Sequence, residues 1–181
     1  MRKYLYIWIV AFSLFSCQNQ SKQEIAKVLK SLRDFEVVIP SDLVMKSYCG
    51  EHADSSLLAK PYKMIVYLDA QGCEGCKILT LSSVYQFILD IKPFDKFGVI
   101  IILNPSQVDA ADHLLEEMRF HHTVFYDAGG SFERLNPYLP KDEVFHTFLI
   151  DENNKVLLVG NPVRNAKLKK LYIDILQNVA K

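Results

Sequence analysis

The chain has 181 residues, half of them apolar, with 21 basic and 21 acidic side chains and a formal net charge of zero. That length supports one domain plus an extension and can bury a sizeable core. The even charge balance gives no electrostatic reason to expect nucleic acid as a partner, and no low-complexity tract or internal repeat interrupts the chain.

The first residues differ in composition from the rest. Arg2 and Lys3 form a short basic region, and the apolar run from Tyr4 to Phe15 is too short to span a bilayer comfortably. Leu14-Phe15-Ser16-Cys17 follows, so residues 1–16 read as a secretory signal segment. Leu14 stands three residues before Cys17 and small Ser16 directly before it, an arrangement that resembles a lipobox. Phe15 is larger than the usual residue there; an ordinary cleaved signal peptide or an uncleaved anchor are the other readings. Lipidation of Cys17 would place the protein in the cell envelope with its domain in the periplasm. Residues 17–61 then form a tether and an N-terminal extension, and residues 62–181 the main domain.

In chain order, Ile25, Val28, Leu29 and Leu32 recur at helical spacing, which predicts an amphipathic helix over roughly 22–34. Glu36 to Ile39 reads as a short strand stopped by Pro40, and Ser41 to Pro61 as irregular and polar. Lys63 to Asp69 is a β-branched and aromatic run suited to a buried strand. Ala70-Gln71-Gly72 is a turn, and Lys77 to Ile91 has helical spacing. Phe97 to Leu103 predicts a second buried strand and Asp109 to Arg119 a helix. Thr123 to Tyr126 reads as a short extended piece and Ser131 to Leu135 as a short helix. Val144 to Ile150 and Lys155 to Val159 flank the turn residues Asp151 to Asn154 as a hairpin, and Asn165 to Val179 closes the chain as a helix. The order is β-α-β-α-β-β-α behind an N-terminal helical addition. It predicts an α/β fold with a central mixed sheet covered on both faces.

Cys73-Glu74-Gly75-Cys76 puts two thiols three residues apart at a strand-to-helix junction. Free backbone N–H groups and the helix dipole favour a negative group there. Cys73 is therefore the candidate attacking thiolate, and Cys76, one turn on, the resolving thiol. Gly75 is read as easing the turn between them, Glu74 as opposing a thiolate on Cys73, and Lys77 as partly offsetting it. A c-type haem site would need His where Lys77 stands. Cys49-x-x-His52 with the Cys73/Cys76 pair could form a Cys₃His zinc site on spacing alone. A structural disulfide is a third reading. The expectation is no metal and no cofactor.

Met64 to Leu81 (MIVYLDAQGCEGCKILTL) and His146 to Pro162 (HTFLIDENNKVLLVGNP) carry a family likeness. The run from Tyr62 to Lys181 resembles the thioredoxin superfamily, closest to the exported TlpA/ResA-like thiol–disulfide oxidoreductases. The resemblance implies a thioredoxin-like fold, a Cys73–Cys76 disulfide and exchange with thiol- or disulfide-containing exported proteins, fed by an upstream electron donor. It departs from the family at two places. Phe145 stands where the family has a cis-proline before the strand beginning at Thr147, and a cis bond there would be costly, so Phe145 is read as trans. Tyr67 stands where thioredoxins carry a buried acid, and Asp69 is read as facing away from the dithiol. Gly72, His146 and Thr147 are placed near the site, with His146 read as a hydrogen-bonded core histidine that could instead shuttle a proton or bind copper. Cys49 is read as a buried, inert thiol, with a third redox thiol as the other reading. The protein is read as a monomer, and a non-catalytic thioredoxin-like binding or assembly lipoprotein is the rival function.

Overall fold

The computed structural model describes residues 23, 25–33, 35–91 and 94–179. The predicted signal segment, Cys17 and most of the predicted tether lie outside them. Residues 25–32 are helical (α1), but only Leu32 of the predicted apolar face is buried, while Ile25 and Leu29 are exposed.

Six strands form one sheet in the order β1-β4-β3-β2-β5-β6. At its centre β2 (Tyr62–Leu68) runs parallel to β3 (Phe97–Leu103), and β3 parallel to β4 (Val124–Tyr126). The remaining pairings are antiparallel: β5 (Thr147–Ile150) on β2, β6 (Val156–Val159) on β5, and β1 (Val44–Lys46) on β4. Every residue of β3 is buried, as its unbroken apolar run requires of a strand covered on both faces.

Alternation along β2 separates two cores. Met64 and Val66 face a cluster that receives Ile78, Leu81, Val84, Phe87, Leu115, Tyr172 and Leu176 from the helices. Those helices are α2 (Glu74–Leu79), α3 (Leu81–Ile91), α4 (Val108–Glu117) and α6 (Ala166–Val179). Ile65 and Tyr67 face the other cluster, covered by Val37, Leu57 and Phe132, the last from α5 (Ser131–Leu135). Each large apolar side chain so buried contributes about 1.5–3 kcal/mol.

The structure differs from the sequence reading in four places. Glu36 to Ile39 is not a strand: Glu36 makes a single bridge to Lys155, and the Asn136 side chain takes both backbone groups of Val38. The segment read as irregular contains β1 and a 3-10 turn at Ser55–Ala59, whose first N–H groups are capped by the Asp54 carboxylate. The helix read over Lys77 to Ile91 starts at Glu74 and breaks at Thr80, whose hydroxyl donates to the Lys77 carbonyl at 2.7 Å. The strand read from Val144 begins only at Thr147. Before it Glu143–Phe145 forms a 3-10 turn, because the Asp142 carboxylate accepts the Val144 N–H at 3.0 Å.

Candidate functional site

The cysteine pair sits where β2 gives way to α2. Gly72 has φ 73°, a left-handed conformation that favours glycine, and this bend turns the chain from the strand into the helix. Gly75, read as the residue that eases the turn, lies inside α2 without a positive φ. A Cβ there would meet only an ordinary contact with Leu114. Cys73 is the N-cap of α2, and its sulfur accepts the Cys76 N–H at 3.3 Å. Cys73 and Cys76 are joined by a disulfide, and both are exposed.

Glu74 points away from Cys73. Its carboxylate accepts the Ser106 hydroxyl at 2.5 Å and the Ser106 N–H at 3.2 Å, tying α2 to the loop between β3 and α4. Lys77 does not offset Glu74. Its ammonium is bonded to Asp69 and lies 3.0 Å from Glu143. Burial works against that charge, but the hydrogen bonds and charges of Asp69 and Glu143 outweigh it and hold the lysine above its ordinary pKa.

Asp69 is the site residue that the sequence reading turned away. Strand alternation would carry it to the face of Tyr67, but β2 ends at Leu68 and the alternation ends with it. The Asp69 side chain instead accepts the Gln71 N–H at 2.9 Å as well as the Lys77 ammonium, and it lies beside the cysteines in the same groove. A carboxylate three residues before a Gly is a turn signal, and that signal in the sequence could have shown that the strand stops there. His146 is buried behind Asp69, with Nδ1 3.6 Å from Asp69 Oδ2 and Nε2 2.7 Å from the Pro140 carbonyl. Its ring centroid lies 5.4 Å from that of Tyr67. Burial pushes the Tyr67 phenol well above its usual pKa, so it stays neutral.

An open groove of about 760 Å³ runs past the disulfide. Val66, Val84, Val144, Thr147 of β5, Arg164 and Leu168 are among the residues that line it. Phe145, which the resemblance aligns with a cis-proline, is trans like every peptide bond among the described residues, and it is buried in the 3-10 turn.

Cys49 is a free thiol, partly buried against the main core, with its N–H 3.4 Å from a Glu116 carboxylate oxygen. Among the described residues no group of three or more His, Cys, Asp or Glu side chains is arranged to hold a metal ion. Cys49 and His52 therefore do not join Cys73 and Cys76 as a Cys₃His set. Among the described residues no helix is long and apolar enough to cross a membrane.

No family model matches this chain, and no curated protein matches it. Solved structures do. A protein of Neisseria meningitidis solved in solution and described as a thioredoxin is 18 % identical, with a TM-score of 0.51 over 80 % of this chain and 92 % of its own. The thioredoxin domain of a thiol-disulfide oxidoreductase from Bacteroides vulgatus is 12 % identical, with a TM-score of 0.50 over 76 % of this chain and 98 % of its own. Peroxiredoxin Q of Xanthomonas campestris is 13 % identical, with a TM-score of 0.50 over 84 % of this chain and 95 % of its own. Sheet order, the cysteine pair at the head of the helix after β2 and these likenesses agree that the chain has a thioredoxin-like fold.

Proposed function

We propose that this protein is a thiol–disulfide oxidoreductase of the cell envelope, anchored by lipid on Cys17 and acting on exported proteins through Cys73 and Cys76. The observation that carries the reading is the exposed disulfide at the head of α2, opening on a groove bounded by β5. Exposure lets an incoming thiolate reach Cys73, and the Cys76 N–H directed at that sulfur favours its departure as a thiolate. Substrate would lie along the groove beside Thr147, and an upstream dithiol donor would return the pair to the reduced state.

The test is insulin-disulfide reduction by the pre-reduced chain. Turnover with dithiothreitol as donor is expected for the unaltered protein, loss of turnover for Cys73→Ser, and a trapped mixed disulfide for Cys76→Ser. Equal activity of Cys73→Ser and the unaltered protein would sink the reading.

The 3-10 turn at Glu143–Phe145 favours a second reading. Without a proline there to present a partner's backbone, the fold could serve as a binding or assembly module. Partner binding would then survive replacement of both Cys73 and Cys76.

A further inference from the structure

His146 takes no part in the making and breaking of sulfur bonds, yet its ring is held in one orientation beside Asp69, which lines the same groove as the cysteines. Nε2 lies 2.7 Å from the Pro140 carbonyl oxygen. A carbonyl oxygen only accepts, so Nε2 carries a hydrogen. Nδ1 is buried and has no hydrogen-bond partner within ordinary reach. What it faces, at 3.6 Å, is Oδ2 of Asp69. A neutral ring would set the Nδ1 lone pair against a carboxylate oxygen, two acceptors opposed in a site where His146 is 3 % and Asp69 4 % exposed. One further proton between them removes the conflict.

Lys77 and Glu143 complete the charges around the pair. His146 is faced by the neutral Tyr67 of β2, by Asp69 in the turn after it, and from the 140–145 segment by the Pro140 carbonyl. Asp69 is faced in turn by Lys77 of α2, which also bonds Glu143. With His146 protonated, the cations Lys77 and His146 balance the anions Asp69 and Glu143. With it neutral, Lys77 still balances the buried Asp69, and the unmatched charge is that of Glu143, whose side chain is 59 % exposed.

We propose that His146 is the proton reservoir of the dithiol, holding on Nδ1, opposite Asp69, a proton that passes towards Cys76 when the disulfide opens. The inference rests on the thiol–disulfide reading above. A dithiol donor, as thiolate, attacks the Cys73 sulfur; the Cys73–Cys76 bond breaks and its electron pair leaves on Cys76. That thiolate takes the proton across the groove that Asp69 and Cys76 both line, and solvent later refills His146. The donor's second thiolate then attacks its own sulfur in the mixed disulfide, leaves as a disulfide and releases Cys73. Two electrons pass from donor to protein. His146 touches neither sulfur, so it is a positioning residue acting through Asp69.

Two measurements on the full chain test this. Long-range ¹H–¹⁵N correlation of the histidine rings should show both nitrogens of His146 protonated in the oxidised protein at neutral pH, and only Nε2 protonated in Asp69→Asn. Reduction of the disulfide by dithiothreitol, normalised to donor thiolate, should fall in the unaltered protein as pH rises and the reservoir empties. In His146→Gln, which keeps a donor for Pro140, the profile should be flat and about tenfold slower at neutral pH. A bare Nδ1 in the unaltered oxidised protein, or coincident rate profiles for it and His146→Gln, overturns the inference. Dithiothreitol reduces the disulfide whether or not the protein acts on other proteins, so these outcomes stand apart from the insulin test.

Discussion

At the scale of single residues, the environment of the cysteines is set by which carboxylate finds which partner. Glu74 is next to Cys73 in the chain, yet it spends its oxygens on Ser106, while Lys77 spends its charge on Asp69 and Glu143. The residual influence of Glu74 on a Cys73 thiolate is that of one solvated surface charge. Replacing it by Gln is expected to speed alkylation of reduced Cys73 at neutral pH by only about twofold, the equivalent of a few tenths of a kcal/mol. Timed iodoacetamide labelling measures it. Ser106→Ala releases the carboxylate and should slow the same reaction. An acceleration of tenfold or more in Glu74→Gln would mean that Glu74 faces the sulfur in solution.

At the scale of elements, the second core is closed by a segment that is neither strand nor helix. Val37 is 1 % exposed there, and its N–H donates to the Asn154 carbonyl at 2.9 Å. Its neighbour Val38 is gripped by Asn136, which accepts the Val38 N–H and donates to its carbonyl, each at 2.8 Å. Asn136 also donates to the Phe132 carbonyl at 2.7 Å, so one buried amide ties this segment to α5. Asn136→Ala strands these backbone groups and is expected to cost about 2–3 kcal/mol. Urea unfolding gives the loss, and amide exchange at Val38 should accelerate well before global unfolding. A cost under about 0.5 kcal/mol would show that water replaces the side chain freely.

At the scale of the whole molecule, acid should weaken the fold through His122. Burial lowers its pKa, and its Nε2–H donates to the Val99 carbonyl at 2.8 Å, which with nearby Asp54 and Glu51 only partly opposes the shift. The unfolded chain therefore takes up the proton first. The stabilisation is complete above the ordinary histidine value of about 6.5 and is lost as pH falls through the lower folded value. Melting temperatures measured down that range should fall less steeply for His122→Gln than for the unaltered protein. The sequence by itself determined the fold class, the main strands and helices and the cysteine pair, because unbroken apolar runs and a CxxC at a strand-to-helix junction are local signals. The break at Thr80 and the late start of β5 depended on single side-chain hydrogen bonds to the backbone, which periodicity does not register. Only the tertiary structure decided what surrounds the sulfurs. Asp69 with Lys77 and Glu143 with His146 come from two separate stretches of chain, and their charges meet because β2 ends one residue before Asp69 and β5 begins one residue after His146.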